Sequence, residues 1–224
     1  MKNVIITGAS GNLGAATVEK FCNDGYRVLA MVSPGKLLPS VSESVEQFEC
    51  DLTDEKGTEE VIMKMVAKYP LIEGALLLVG GFEAGRIDST VMSGLRKMYA
   101  LNFETAYNVM RPIFQHMKQQ TSGGRIVLIG ARPALDPKAG KGLIAYGLSK
   151  SLLFKLAEYL NDDGKEKNVL TAIVVPGTID TPLNRSAMPA ADFSKWATPA
   201  AIAEVMASFV SRKSVDDPNP IFKV

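Results

Sequence analysis

Near its N-terminus the chain reads Thr7-Gly8-Ala9-Ser10-Gly11-Asn12-Leu13-Gly14, and Thr7 is also the last residue of the apolar run Asn3–Thr7. Helical periodicity then continues from Leu13 to Asn23. Three glycines between a strand and a helix allow a sharp turn, the close approach of a pyrophosphate and tight packing of the helix on the strand. In this context the segment predicts a dinucleotide-binding loop, and a purely structural glycine turn is the alternative.

Short apolar runs and longer helical patterns alternate along the whole chain. The predicted strands are Asn3–Thr7, Arg27–Val32, Val45–Glu49, Gly74–Val79, Arg125–Ile129, Asn168–Val175 and Ile221–Val224. The predicted helices are Leu13–Asn23, Gly57–Lys68, Ser89–Gln120, Tyr146–Asn161 and Pro199–Ser211. Near-continuous apolar strands that alternate with helices predict a Rossmann-type doubly wound parallel sheet of about seven strands in a three-layer αβα sandwich. We expect a single domain over residues 1–224.

The composition favours a small-molecule partner. Of the 224 residues 46% are hydrophobic, the formal net charge is +1, and no polybasic block is present to bind nucleic acid or anionic lipid. No apolar run approaches the ~20 residues of a membrane helix, and the N-terminus lacks a signal-peptide pattern. Two cysteines fit a reducing compartment, and no cluster of metal-ligand residue types occurs. We therefore expect a cytoplasmic protein without a metal.

Two more segments follow predicted strands and extend the candidate cofactor site. After the third strand, Asp51 and Leu52 could bracket an adenine ring, although Asp51 could equally cap the next helix. After the fourth strand, Gly80 and Gly81 offer a cofactor a surface without side chains, and a tight turn is the alternative.

The end of the second strand bears on the choice of nicotinamide cofactor. A carboxylate there would bind the ribose hydroxyls of NAD. The segment from Arg27 to Lys36 contains no acid, whereas Ser33 and Lys36 could contact a 2′-phosphate. The sequence thus favours NADP(H), with NAD(H) possible and Lys36 as a solvated loop charge the alternative.

Tyr146 and Lys150 form a candidate catalytic pair. Four residues apart at the start of a predicted helix, they share one face. An ammonium beside the phenol, and the helix N-terminus, are expected to lower the pKa of the tyrosine. The pair follows the fifth strand in a chain that already carries a phosphate loop, so we predict a proton donor or acceptor here.

Together these residues resemble the short-chain dehydrogenase/reductase family over nearly the whole chain. The resemblance implies that Asn102, within MYALNFETAYNVMRP, supports a proton relay through water and the lysine. It also implies that the segment PGTIDT holds the nicotinamide carboxamide. The residues implied in that segment are Pro176, Gly177, Thr178 and Thr181.

One residue of the family pattern is missing, the serine that precedes the tyrosine by about thirteen positions. Alignment from the strand places Ala131 there, and counting back from Tyr146 reaches Pro133. The GARPALDP run and IDTPLNRSAMPAADFSKW resemble the quinonoid dihydropteridine reductase branch, whose conjugated ring depends less on a serine donor. That branch usually carries an acid after the second strand and lacks a counterpart of Asn102.

Two functions therefore follow as hypotheses. In the first, NADPH passes a hydride to a small carbonyl or quinonoid substrate, Tyr146 supplies the proton, and residues 183–198 close over the substrate. Met188, Phe193 and Trp196 would then be apolar walls of the site or, alternatively, anchors of the loop. In the second, the protein is a non-catalytic NADP(H)-binding sensor or scaffold, as the missing serine suggests. By resemblance, the two long helices predict a homodimer or homotetramer.

Overall fold

Seven parallel strands form one sheet in the computed structural model, which describes residues 1–39, 42–213 and 217–224. The strands are β1 (Lys2–Thr7), β2 (Tyr26–Val32), β3 (Val45–Glu49), β4 (Gly74–Leu77), β5 (Gly124–Ile129), β6 (Val169–Val175) and β7 (Ile221–Lys223). Their order across the sheet is β3-β2-β1-β4-β5-β6-β7, and every pair is parallel. The Rossmann-type prediction is therefore confirmed, including the number of strands.

Helices cover both faces of the sheet and connect most of the strands; none is described between β2 and β3. They are α1 (Asn12–Asn23), α2 (Glu55–Lys68), α3 (Met92–Tyr99), α4 (Thr105–Gln119), α5 (Ile144–Gly164), α6 (Pro182–Ala187) and α7 (Pro199–Val210). A π-helical stretch, Ala100–Glu104, joins α3 to α4. In the described ranges, no helix combines the length and apolarity that crossing a membrane requires.

The core has two layers, one on each face of the sheet. Helices α2, α4 and α5 cover one face, with Ile62, Val109 and Leu153 buried against the strands. Helices α1 and α7 cover the other face, where Phe21 and Phe209 are fully buried. Because the central strands are covered on both sides, their side chains are buried without alternation, as their continuous apolar runs predict.

The prediction of one regular helix over Ser89–Gln120 is wrong in its details. The helix begins at Met92, widens into the π stretch at Ala100–Glu104, and ends at Gln119. The π stretch contains Asn102, a buried residue whose amide is hydrogen-bonded to a neighbouring loop. Side-chain periodicity cannot reveal such a change, because it depends on a tertiary contact.

Two helices begin two residues earlier than predicted. Helix α2 begins at Glu55, and Asp54 caps it by accepting a hydrogen bond from the Gly57 amide at 3.1 Å. Helix α5 begins at Ile144, which places Tyr146 in its first turn. In α2 the first turn is polar, so apolar periodicity does not detect it.

Candidate active site

The predicted cofactor residues follow the carboxyl ends of five strands, at the edge where open α/β sheets bind ligands. After β1 lie Gly8, Ser10, Gly11, Asn12, Leu13 and Gly14; after β2, Ser33 and Lys36; after β3, Asp51 and Leu52; after β4, Gly80 and Gly81; after β6, Pro176, Gly177, Thr178 and Thr181. The structure therefore brings the predicted segments to one edge of the sheet.

The loop between β1 and α1 has the backbone that a pyrophosphate site needs. Gly8 has a φ of 63°, in the left-handed region. A Cβ at Gly14 would lie 2.1 Å from the Gly8 carbonyl oxygen, so only glycine lets the helix approach the loop this closely. Gly11 is the N-cap of α1 and provides no side-chain cap, which leaves the first-turn N–H groups facing the loop. This cradle fits a dinucleotide phosphate.

Asp51 does not cap α2, so that alternative reading is wrong. Its Oδ1 accepts hydrogen bonds from the Thr53 amide at 3.0 Å and the Thr53 hydroxyl at 2.7 Å, and these bonds lower the pKa of the exposed Asp51 carboxyl. The Leu52 carbonyl accepts a hydrogen bond from the Asn108 amide of α4 at 2.9 Å. Asn108 thus positions the segment after β3, and the sequence carries no local signal of this role.

The chain after β2 makes a tight turn over Ser33–Lys36. The Lys36 amide donates to the Ser33 carbonyl at 3.0 Å, Pro34 occupies the second position, and Gly35 has a φ of 73°, the pattern of a type II turn. Ser33 and Lys36 are both exposed beside it. Glu49, from the end of β3, accepts a hydrogen bond from the Gly35 amide at 2.6 Å. This carboxylate lies outside the acid-free segment Arg27–Lys36 on which the sequence-based prediction rests. The pairing of Val32 with Glu49 brings it to the end of β2.

Tyr146 and Lys150 lie on α5 beside the end of β5. The Lys150 ammonium donates a hydrogen bond to the Ile129 carbonyl at 2.8 Å, and burial lowers the pKa of Lys150 to about 8. Burial also raises the pKa of the half-buried Tyr146. The expected lowering of the tyrosine pKa is therefore not found, because desolvation of the phenol is the dominant effect.

Asn102 connects the π stretch to the loop after β4 and to α5. Its Oδ1 accepts from the Gly81 amide at 2.9 Å, while its Nδ2 donates to the Gly81 carbonyl at 3.1 Å and to the Ser149 hydroxyl at 3.0 Å. Ser149 in turn donates to the Tyr146 carbonyl at 2.8 Å. Ser149 is absent from the sequence-based site: the sequence shows only that it precedes Lys150, whereas its burial and its contact with Asn102 depend on the fold.

Gly80 is the point where Asn102 and Lys150 come together. A Cβ placed on Gly80 would lie 2.6 Å from Asn102 Oδ1 and 3.1 Å from Lys150 Nζ. The structure therefore places the polar ends of two predicted catalytic residues next to the predicted cofactor surface.

Neither candidate for the missing serine supplies a donor side chain. Ala131 is buried, and Pro133 packs against Gly147 of α5, 3.4 Å from the position of an added Cβ. The residue that does face the tyrosine is Phe82, whose ring centroid lies 5.0 Å from that of Tyr146 at an interplanar angle of 68°. Because Phe82 is 65% exposed, the surface beside the tyrosine is aromatic and open.

The segment after β6 turns into a short helix that the sequence did not predict. The Thr181 hydroxyl accepts a hydrogen bond from the Asn184 amide at 3.2 Å and so caps α6. The Thr178 carbonyl accepts from the Ala197 amide at 2.9 Å, which joins the two ends of the segment. Thr181 therefore acts as an N-cap as well as standing where the family pattern expects it.

Residues 180–197 are held together by a clasp centred on Arg185. Its guanidinium donates to both carboxylate oxygens of Asp180, at 2.6 and 2.7 Å, and lies 4.8 Å from the centre of the Phe193 ring. Phe193 packs on Trp196 at 4.7 Å. Phe193 and Trp196 thus anchor the segment, while Met188 is exposed.

Comparison with known proteins gives consistent matches. The chain is 27% identical over 206 residues to a dihydropteridine reductase from Dictyostelium discoideum, covering 91% of this chain and 85% of that protein. It is 26% identical over 187 residues to a 2,3-dihydro-2,3-dihydroxybenzoate dehydrogenase from Escherichia coli K12, covering 83% and 72%. Among solved structures, ElxO with NADP bound matches with a TM-score of 0.90 and 21% identity, covering 100% of this chain and 96% of the other.

A family model described as short chain dehydrogenase matches residues 2–192, which is most of the sequence. The match includes the glycine loop, the Tyr146–Lys150 pair and the segment after β6. The chain therefore belongs to the short-chain dehydrogenase family and is an oxidoreductase of that family.

Proposed function

We propose that this protein is an NADPH-dependent reductase of a small conjugated substrate, such as a quinonoid ring, with a chemistry like that of dihydropteridine reductase. The observation that carries the proposal is the surroundings of Tyr146. An aromatic ring, Phe82, faces the phenol, and a buried alanine, Ala131, stands where a serine donor is expected.

The residues at the sheet edge fit a nicotinamide dinucleotide. The β1–α1 loop would hold the pyrophosphate, Asp51 and Leu52 the adenine, and Gly80 the nicotinamide ribose beside Lys150. When bound, the cofactor supplies the hydride. Ser33 and Lys36 are exposed at the turn after β2, where we expect a 2′-phosphate to bind, and this supports NADPH as the cofactor. ElxO, similar in fold, has a structure with NADP bound.

The ionisation of Tyr146 suits the direction of reduction. Its raised pKa keeps the phenol protonated through the neutral range, so that it can donate a proton to the reduced substrate. Lys150 lies one helical turn further along α5 and places a positive charge beside the same edge. Asn102 and Ser149 hold the first turn of α5 against the loop after β4.

The substrate class follows from what surrounds the phenol. A simple ketone gains from a second donor on its oxygen, and Ala131 offers no side-chain donor. A conjugated ring spreads the charge of the added hydride and can stack or pack edge-on against Phe82. The similarity to a dihydropteridine reductase from Dictyostelium discoideum supports this substrate class.

The test is a screen of quinonoid pterins, quinones and activated carbonyls, with oxidation of NADPH followed by absorbance. In Tyr146→Phe we expect the turnover of the best substrate to fall roughly 100-fold or more, while NADPH still binds. Tyr159→Phe is the matched control, because Tyr159 lies on the same helix and is exposed.

Two outcomes would contradict the proposal. Unchanged turnover in Tyr146→Phe would show that the phenol is not the proton donor. Binding of NADPH by the wild-type protein, without its oxidation by any member of the panel, would favour a sensor or scaffold instead.

A further inference from the structure

Glu49 brings a carboxylate to the end of β2 from the neighbouring strand. Its Cα pairs with that of Val32, the last residue of β2, and its Oε2 accepts the Gly35 amide hydrogen at 2.6 Å. The turn that it contacts also carries Ser33 and Lys36. This is the position at which the adenosine ribose of a dinucleotide is recognised in such folds.

The charge of Glu49 is not compensated by a direct ion pair. In the ranges 1–39, 42–213 and 217–224, no lysine or arginine lies within ion-pair distance of it. Glu46, three residues earlier on β3, differs because Lys68 lies 2.8 Å away and the Tyr69 hydroxyl donates to it at 2.6 Å. Glu49 therefore contributes negative potential at the turn, opposing that of Lys36.

Glu49 also accepts the hydrogen bond of the Gly35 amide, a backbone donor that a phosphate could otherwise use. Backbone N–H groups in turns are common ligands of phosphate oxygens. With the Gly35 amide bonded to a carboxylate, a 2′-phosphate beside Ser33 would have to do without that donor and tolerate the nearby negative charge. A ribose hydroxyl meets neither penalty and can itself donate to a carboxylate.

We propose that Glu49 is a specificity-determining residue, which weakens the binding of NADPH relative to NADH and so limits the preference that Ser33 and Lys36 create. The inference rests on the proposed function only in placing the adenosine ribose at this turn. In NAD-selective folds of this kind an acidic residue follows β2. Here β2 and its turn have no acid, and Glu49 at the end of β3 supplies a carboxylate to the same turn.

The experiment measures dissociation constants of NADPH and NADH by isothermal titration calorimetry, without any substrate. Glu49→Gln removes the charge and keeps an acceptor for the Gly35 amide, whereas Glu49→Ala removes both. Glu43→Gln is the matched control, since Glu43 is exposed just before β3. Thermal unfolding of each variant establishes that it is folded.

We expect Glu49→Gln to shift the affinity ratio toward NADPH by about 5-fold at low salt, with a smaller shift at high salt. Glu49→Ala should shift the ratio at least as far, and Glu43→Gln should leave it unchanged. A ratio that stays within 2-fold of wild type in both Glu49 variants, or moves toward NADH, overturns the assignment of Glu49 alone. A wild-type protein that binds neither dinucleotide overturns the proposed function and this inference together.

Discussion

The charged side chain of Lys150 is buried. The side chain is 4% exposed, and its ammonium donates to the Ile129 carbonyl at 2.8 Å. A lowering of its pKa from 10.5 to about 8 corresponds to about 3 kcal/mol of destabilisation while the amine is charged in the folded state. Such a cost is typical of functional sites, where a buried charge is retained for a ligand and not for stability.

We therefore predict that Lys150→Met is more stable than the wild-type protein at pH 7, although inactive. Replacement removes the buried charge, and the unpaired Ile129 carbonyl costs about 1 kcal/mol in return, so the net gain is about 2 kcal/mol. The measurement is the free energy of unfolding in urea, together with NADPH oxidation on the best substrate of the panel.

The pH dependence provides the control for this prediction. Below about pH 8 the amine is protonated in both the folded and unfolded chains, and the penalty is complete. Between pH 8 and 10.5 the unfolded chain binds more protons, so wild-type stability rises with pH. The advantage of Lys150→Met should shrink by about 2 kcal/mol between pH 8 and 9.5. A constant difference across this range would contradict the lowered pKa.

At the scale of elements, the sequence predicts the strands and helices that have a regular apolar pattern, but not the features that depend on contacts between residues distant in the chain. All seven strands could be predicted, the five central ones because each is a short apolar run that is buried on the sheet. The edge strands β3 and β7 are only partly buried, and β3 carries three polar residues. The π stretch around Asn102 could not be predicted, because a hydrogen bond to Gly81, 21 residues away, accompanies it. The contact of Glu49 with the turn after β2 could not be predicted for the same reason, since it depends on the pairing of β3 with β2.

Residues 180–197 are a second case, since no pattern in the sequence predicts helix α6. Its six residues are too few for a periodic pattern, and its start depends on the Thr181 cap. The segment keeps its form through the Arg185 clasp with Asp180 and Phe193. Because Leu183 and Met188 remain exposed, the segment presents apolar side chains outward at the ligand edge of the sheet.

We predict that Arg185→Ala loosens this segment without unfolding the protein. Loss of the two hydrogen bonds to Asp180 and of the contact with Phe193 should increase local opening. Chymotrypsin cleavage after Phe193 or Trp196, located by mass spectrometry, should become several-fold faster at an unchanged melting temperature.

Lys195→Ala is the matched control for the clasp. Lys195 lies in the same segment and pairs with Asp192 at 3.2 Å, outside the Arg185 contacts, in an exposed ion pair of small energetic weight. Its cleavage rate should equal that of the wild-type protein. Equal rates for all three proteins would show that Arg185 does not hold the segment closed.

At the scale of the whole molecule, helices α4 and α5 present an apolar surface to solvent. The aromatic rings of Tyr99, Phe103 and Tyr107 stack along one side of the α3–α4 region, with successive centroids 5.2 and 5.8 Å apart. Leu148 and Leu152 are exposed on α5. A groove between α4 and α5 is lined by Tyr107, Met110, Phe114, Leu156 and Leu160, together with the polar residues Arg111, Gln115, Lys118 and Asp163. Exposed apolar patches of this kind commonly mark protein interfaces.

We predict that this surface joins two copies of the chain in a homodimer or homotetramer. Light scattering at micromolar concentration should give a mass of two or four chains for the wild-type protein. The double variant Leu148→Glu/Leu152→Glu should shift the mass toward one chain, because charged side chains would have to be buried at the interface.

Leu183→Glu is the matched control, since Leu183 is even more exposed but lies on the segment after β6. A wild-type mass of one chain would refute association. An unchanged oligomer in the double variant would place the interface elsewhere, for which the edge strands β3 and β7 are the next surfaces to test.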